Sequence, residues 1–503
     1  MSYRINTDTI PLKQRICNIN NIEEEILDVS DLKVDYELQI LKDFRNRLLS
    51  DKDKRFFIVG DYDCDGICAT VIIKKLFEDL GIESNYYIPS RSKQGYGLNN
   101  DIVKTAFDNG FKALICVDNG VVAYDQMAYA RSLGLKTYVI DHHEYEKQIE
   151  VDGFLHPNLF PKQYSDMCAA GLSCLLSNSF RHDDLTSVYG GLATLADMVS
   201  VFGYNRYLLK QMIEILGRGE ILPIMYLLAG NEVSYDSLSY NVIPKINAVS
   251  RLEEMMNVNY VVRYLLDNSA QCMKYLNKIE EVNRTRKDLT TQMSALAERL
   301  CDNRKNIILV RSDVFKEGLC GLIANRLLSL YGKPVIILAQ KNKELKGSGR
   351  APAGFDLFGY LSEAKQLFNA YGGHAQAVGL SMNEENYDQL ISFIESHDFE
   401  FESSDKDALY LKQEELNDDV IRQIEELQPY GTGFRQPLLC TEGNYQKRFV
   451  IKGRYPKFVL RENLDAISFD PAFIDRDFTR MIGHLKYDSY HKGKLSFVIE
   501  DLI

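Results

Sequence analysis

Residues 56–66 read Phe-Phe-Ile-Val-Gly-Asp-Tyr-Asp-Cys-Asp-Gly, a short apolar run that breaks into three aspartates at alternate positions. An uninterrupted apolar run of this length, ending at Gly60, suits a strand covered on both faces of a parallel sheet. Downstream, Ile67 to Leu80 has helical periodicity, and Gly81 closes it. The alternation then repeats: Asn85 to Pro89 as strand, Asp101 to Asn109 as helix, Ala113 to Val117 (ALICV) as strand, Tyr124 to Leu133 as helix, and Lys136 to Ile140 (KTYVI) as strand. Apolar strands alternating with helices predict an α/β domain built on a parallel sheet.

Outward from this block, an acidic lead-in reads as helical, and residues 168–266 are mostly helical with few Gly or Pro breaks. One long helix follows, from Ala270 to Asn303, with Leu276, Ile279, Val282, Leu289, Met293, Leu296 and Leu300 on one stripe. Between two α/β regions it reads as a connector that fixes their spacing. Its Arg284 and Arg286 either face the cleft or belong to an exposed charged face; the spacing allows both. Residues 304–400 restart the strand–helix alternation. The final hundred residues carry short alternating strands (RFVIKG, KFVLR, LDAISF, KLSFVIEDLI), the pattern of a small β-barrel. Four parts are therefore expected, at 1–265, 266–303, 304–402 and 403–503.

The totals agree with a folded, multi-domain chain: 503 residues, 45% hydrophobic and 26% charged. No apolar run reaches membrane-spanning length, and the first residues lack a signal-peptide core, so a cytoplasmic, membrane-free protein is expected. The ten cysteines show no zinc-finger spacing, and Cys64 and Cys68 read as small buried residues. A net charge of −12 does not suit a nucleic-acid coat, but a polyanionic substrate responds to the local field. Residues 443–461 (GNYQKRFVIKGRYPKFVLR) supply one, with six basic residues and no acidic one. Aromatics interleave with the cations there, so Tyr445, Lys447, Arg448, Phe449, Lys452, Arg454 and Tyr455 form a candidate platform for a single strand. Alternation along the strands turns half of those aromatics inward.

In an open parallel sheet, ligands gather beyond the carboxyl ends of the strands. Three consecutive strand ends here carry Asp61, Asp63 and Asp65, then Asp118, then Asp141, His142 and His143. One aspartate after a strand often only caps the next helix. Several on neighbouring strands repel one another unless cations neutralise them, which points to a metal site. Carboxylate and imidazole ligands without thiolates favour Mn²⁺ or Mg²⁺. Two divalent cations sharing a carboxylate suit hydrolysis of a phosphoester, one acidifying water and the other stabilising the leaving oxygen.

These residues resemble a known family. GDYDCDG, VDNG and DHHE, in that order after successive strands, are similar to the signature motifs of the DHH phosphoesterases. PSRSKQGYGLN (89–99), LATLADMVSVFGYNR (192–206) and PKINAVSRL (244–252) resemble further motifs of their RecJ-like branch. GSGRAPAGFDL (347–357) and AYGGHAQAVG (370–379) resemble the DHHA1 substrate domain. QPYGTGFRQP (428–437) and the terminal MIGHLKYDSYHKGKLSFVIEDLI resemble the entry and end of the RecJ oligonucleotide-binding (OB) fold. The likeness runs from about residue 56 to the end. It implies a parallel-sheet DHH domain, the connecting helix, a smaller α/β DHHA1 domain and an OB-type β-barrel.

Carried over residue by residue, the resemblance implies metal ligation by Asp63, Asp65, Asp118, His142 and Asp197, with Asp118 as bridge and Asp61 auxiliary. Asp197 is read as lying inside a helix. His143 and His374 would meet the scissile phosphate, and Arg91, Tyr96, Asn247, Arg251, Ser348, Arg350 and Gly373 would line the substrate site, with arginines gripping phosphates through paired donors. The implied activity is a single-stranded-DNA-specific exonuclease of 5′→3′ polarity that releases 5′-mononucleotides, in DNA repair and recombination. Single-stranded DNA is the partner, a helicase or single-strand-binding protein is admitted as another, and a monomer is expected. Three positions depart from the pattern: Lys316-Glu317 stand where His-Pro is usual, Phe434 replaces an Asn, and Ser250 replaces a Gly. The competing readings are a DHH-family oligoribonuclease or cyclic-dinucleotide phosphodiesterase, and an inactive replication scaffold.

Overall fold

The computed structural model describes residues 2–91, 94, 95, 97–397, 399, 405–488, 491 and 493–503. The chain divides into two compact units, one of residues 34–197 and 208–403, the other of residues 1–33, 198–207 and 404–503.

A short strand, β1 (Tyr3–Asn6), opens the chain and belongs to the smaller unit. The larger unit holds two sheets. In the first, β2 (Phe56–Val59), β3 (Ser84–Tyr87), β4 (Ala113–Val117), β5 (Lys136–Ile140) and β6 (Gly153–Leu155) lie in the order β3-β2-β4-β5-β6. All pairs are parallel, as the apolar runs require. Phe57, Val59, Leu114, Cys116 and Val139 are buried on one face against the helices Asn100–Asp108 and Tyr124–Ser132. The chain steps from β2 outward to β3 and returns to β4 on the other side. The carboxyl ends of β2 and β4 therefore flank the switch point where such sheets bind ligands. The strand β6 was not anticipated: three residues, Gly-Phe-Leu, are too few for a periodic signal.

The second sheet contains β7 (Ile308–Ser312), β8 (Val335–Lys341), β9 (Glu344–Arg350), β10 (Ala370–His374) and β11 (Ala377–Asn383), ordered β10-β11-β9-β8-β7. Only β7 and β8 are parallel. The connector is a helix over Met273–Leu300, a few residues shorter at each end than its periodicity suggested, with a 3-10 turn before it at Ala270–Cys272.

In the smaller unit β1 pairs in parallel with β12 (Lys406–Tyr410). Beyond it lie β13 (Leu438–Glu442), β14 (Lys447–Ile451), β15 (Tyr455–Arg461), β16 (Leu464–Ser468), β17 (Arg480–Tyr487) and β18 (Leu495–Leu502). Traced over the described residues, the ladder runs β1-β12-β13-β17-β18-β16-β15-β14, consistent with an OB-type sheet. Phe434, the departure from the usual Asn, is fully buried here against Tyr430, with ring centroids 4.8 Å apart. No helix among the described residues is long and apolar enough to cross a membrane.

Candidate metal centre and phosphate pocket

The turn after β2 sets three aspartates in three roles. Asp63 caps the helix Cys64–Asp79, its carboxylate accepting the N–H groups of Asp65 at 2.9 Å and Gly66 at 3.2 Å. A Cβ on Gly66 would lie 2.5 Å from the Asp61 nitrogen, so only glycine lets the first helical turn abut that strand end. Asp65 turns to the start of the helix Ala169–Asn178 and accepts the N–H groups of Ala169 and Ala170, each at 2.8 Å. The positive end of that helix favours its charge.

Asp118 follows β4 with φ of 59°, a left-handed backbone uncommon outside glycine, and its N–H donates to the Ile140 carbonyl at 2.9 Å. Asn119 beside it donates to the carbonyls of Val59 (3.1 Å) and Val117 (2.9 Å), stitching the ends of β2 and β4 together. After β5, the buried Asp141 accepts the His142 N–H at 2.8 Å and the Val121 N–H at 2.9 Å, and lies 2.7 Å from His143 Nδ1.

These turns bring the expected ligands together. His142 Nε2 stands 3.3 Å from Asp118, 3.6 Å from Asp197 and 3.7 Å from Asp65. Among the described residues, three groups have ligand atoms all within 4.8 Å of one another: Asp65, His142 and Asp197; Asp61, Asp63 and Asp118; and Asp118, His142 and His143. Asp118 and His142 each belong to two groups. Asp197 does not lie mid-helix as its apolar surroundings suggested. The helix Asp184–Ala196 ends before it, and it caps the carboxyl end, which frees its side chain to reach the rim.

The charges confirm a crowded rim. Burial raises the carboxyls of Asp61, Asp63 and Asp118 above the usual range, and the neighbouring aspartates add to it. Asp197 is pushed up to about 8 by burial and by Asp65 and Asp63. Burial also lowers His142, keeping it neutral and able to bind a cation. For His143, burial is outweighed by the hydrogen bond and charge of Asp141, which raise it to about 9. Asp61 Oδ1 is buried and accepts no hydrogen bond among the described residues. A buried acceptor without a donor, amid mutually repelling carboxylates, is what a divalent cation would satisfy. The donor set fits hard, oxygen-preferring ions.

Beside the rim lies a cationic pocket. The Arg91 guanidinium stacks on Tyr62 at 5.1 Å, and Tyr62 stands between Asp61 and Asp63. Arg251 donates to the Gly318 carbonyl at 3.1 Å, and a Cβ on Gly318 would meet the Arg251 backbone at 2.4 Å. Gly321 abuts Arg350 and Ser348, both on β9. Burial lowers Arg251 to about 10, helped by the charges of Arg91, Arg286 and Arg350. None of these four arginines makes an ion pair with a carboxylate among the described residues. Asn247 lies in the helix Ile243–Arg251 with its Oδ1 buried and unpartnered among the described residues, and Ser250 donates to its carbonyl at 3.2 Å. Tyr96 falls outside the described residues. Gly373 (φ 137°) and His374 end the exposed strand β10. His374 is in none of the three ligand groups. The glycine pair Gly372-Gly373 lies within that strand.

In the smaller unit the basic stretch forms β14 and β15. Arg448 pairs across with the buried Phe458 and Phe449 with Lys457, so the two faces differ. Phe449 is 50% exposed. Tyr445 leans on Phe458 (5.1 Å), Tyr455 meets Phe469 edge-on (5.7 Å) beneath Arg454 (5.6 Å), and Lys447 and Lys452 flank this outer edge of the sheet.

Two residues outside the ligand groups support His143. Asp141 orients His143. His156 is buried with Nδ1 accepting the Asn158 N–H (3.2 Å), so Nε2 carries the proton and donates to the His143 carbonyl (3.0 Å). Its signal is spatial rather than local, because its partner lies on a neighbouring strand end.

Comparison with known proteins agrees. Residues 55–196 match the DHH family N-terminal domain, 304–397 the DHHA1 domain and 408–501 the RecJ OB domain. The single-stranded-DNA-specific exonuclease RecJ of Bacillus subtilis is 26% identical over 71% of this chain, and the chain spans about half (47%) of that relative's length. The same-named protein of Haemophilus influenzae is 28% identical over 78% of this chain and 75% of its own. The crystal structure of RecJ in complex with Mn²⁺ from Thermus thermophilus matches with a TM-score of 0.85 at 21% identity, covering 100% of this chain and 79% of that one, which speaks for the fold. With these three domains in this order, the chain belongs to the RecJ-like branch of the DHH/DHHA1 phosphoesterase family.

Proposed function

We propose that this chain is a metal-dependent exonuclease that degrades single-stranded DNA from its 5′ end and releases 5′-mononucleotides. One juxtaposition carries the reading: a rim of Asp63, Asp65, Asp118, His142 and Asp197 beside a pocket of arginines with no carboxylate partners among the described residues. Mn²⁺ or Mg²⁺ held by those five side chains, with Asp61 as auxiliary, would supply Lewis acidity for water and charge neutralisation at phosphorus. Asp118, the one carboxylate that belongs to two of these ligand groups, would be the residue shared between two ions.

The protein's own groups do the rest. Arg91, Arg251, Ser348 and Arg350 grip phosphates, with Asn247 beside them. His143, held protonated by Asp141, faces a phosphate oxygen and stabilises its developing charge. His374 and Gly373 approach the same phosphate from β10. Tyr445, Lys447, Arg448, Phe449, Lys452, Arg454 and Tyr455 bind single-stranded DNA by stacking and charge. A cytoplasmic monomer working beside a helicase or single-strand-binding protein in DNA repair fits this activity.

The test is digestion of 5′- and 3′-labelled DNA, single- and double-stranded, with Mn²⁺, Mg²⁺ or a chelator. Mononucleotide release from single strands only, dependent on the ion and beginning at the 5′ end, is expected. Turnover of dinucleotides alone would replace the reading with that of a dinucleotide phosphodiesterase.

A further inference from the structure

The connecting helix Met273–Leu300 is more than a spacer. Asn283, Arg286, Thr290 and Ser294 recur every three or four residues and so share one face of it. That face is desolvated: Asn283 and Ser294 are buried. The Arg286 Nε and the hydroxyls of Thr290 and Ser294 are buried without a hydrogen-bond partner among the described residues. Arg284, two positions before Arg286, is exposed. Among the elements that pack on the helix, two lead to the arginines. One is Ile243–Arg251, which ends in a pocket arginine; the other is Cys320–Tyr331, which begins beside the Gly318–Gly321 turn that touches Arg251 and Arg350.

A half-buried guanidinium normally meets a carboxylate or several carbonyls. Among the described residues Arg286 has one acceptor, a neutral one, the Asn283 Oδ1 at 2.9 Å from Nη2. Asn283 thus fixes one edge of the fork, and the positive charge is left uncompensated. That charge also helps depress Arg251, which places it in the same field. An arginine held in position against like charges, with no protein anion among the described residues, is arranged for an anion from outside.

We infer that Arg286 is a fourth phosphate-binding arginine, by which the connecting helix contacts the backbone of the bound strand. The inference rests on the phosphodiesterase reading for its ligand class, a nucleic-acid phosphate.

The experiment compares the full chain with its Arg286→Gln, Arg286→Lys and Arg284→Gln variants. Thermal shift with inorganic phosphate and binding of a 5′-phosphorylated single strand across a salt series are measured, the latter with Ca²⁺ present to suppress cleavage. Arg286→Gln is expected to lose most of the phosphate-induced shift and to bind the strand roughly tenfold to a hundredfold less tightly. Its salt slope should fall by about 0.7, the value for one lost contact on a single strand. Arg286→Lys should recover part of the affinity, and Arg284→Gln should match the parent. An Arg286→Gln variant that binds both probes like the parent overturns the inference. A phosphate shift lost in Arg286→Gln, in a protein that cleaves no DNA, would support it and count instead against the nuclease reading.

Discussion

His143 Nδ1 lies 2.7 Å from Asp141 Oδ1, and this pair divides two adjacent histidines into two kinds of group. Asp141 raises His143 to about 9, whereas burial keeps His142 below the ordinary imidazole range and beside Asp65, Asp118 and Asp197. Asp141 favours the charged form of one ring, and burial favours the neutral, lone-pair form of the other. Asp141 also accepts the Val121 and His142 N–H groups, so it holds the whole turn. Asp141→Asn replaces one acceptor oxygen by a donor. Its activity should fall about 10- to 100-fold, as for residues that support a metal site from outside its ligands. Steady-state cleavage of single-stranded DNA with Mn²⁺ checks this, and unchanged activity would show that the turn needs no anion.

Removing the metal should make stability depend on pH in a defined direction. Asp61, Asp63, Asp118 and Asp197 have folded-state pKa values above the ordinary 3.8, with Asp197 reaching about 8. The folded chain then binds more protons than the unfolded chain, so stability falls as pH rises between about 4 and 8. Bound divalent ions remove that penalty. Melting in chelator should therefore drop from pH 5 to 8, and the gain in Tm on adding Mn²⁺ should grow over the same interval. An equal Mn²⁺ effect at both ends of the interval would contradict the coupling.

The clustering of aspartates and histidines was legible in sequence because it is local. Asp61 to Asp65, Asp118 and His142 each follow an apolar strand within a few residues, and chain order alone puts them on one rim. The position of Asp197 was harder, since the end of its helix is marked by no glycine or proline. The pairing of β1 with β12 joins opposite ends of the chain, and no short-range pattern reports it. The environment of Arg286 was equally hidden. Charge at one helical position reads alike whether it meets water or other arginines, and only packing against Ile243–Arg251 separates the two.

Two glycine substitutions should behave oppositely. In Gly66→Ala the new methyl group would meet the Asp61 backbone within 2.6 Å, so the β2 turn must shift. A loss of roughly 1–3 kcal/mol is expected, with activity falling further because Asp61 and Asp63 move with it. Gly217→Ala, at the end of a helix and in open space, should be neutral or gain about 0.5–1 kcal/mol. Denaturant unfolding of both variants makes the comparison.

If β14 and β15 form a single-strand platform, Phe449→Ala should weaken binding of long single strands by about 1–3 kcal/mol, the value of one stacked base. Cleavage of an oligonucleotide too short to reach it should be unaffected. Phe458→Ala, on the buried face, should instead destabilise the fold by about 3–5 kcal/mol. Equal binding of long and short strands by Phe449→Ala would return the exposed ring to the status of an ordinary surface residue.

Arg206 shows how the smaller unit is held. It is fully buried and donates to the carbonyls of Leu27 (2.7 Å), Leu427 (2.7 Å), Gln428 (2.9 Å) and Pro429 (3.0 Å). Its planar fork thus ties three separated stretches of chain, 198–207, the segment at Leu27 and the turn at 427–429, to one point. Arg206→Met keeps the bulk and leaves those carbonyls without donors, at roughly 1–3 kcal/mol for each that water cannot reach. Arg206→Lys has a charge but no fork and should fall between. Hydrogen exchange at residues 405–488 would read the order parent, lysine, methionine as increasing exposure. Equal protection in all three would mean that the apolar contacts around Phe434 hold these stretches without the arginine.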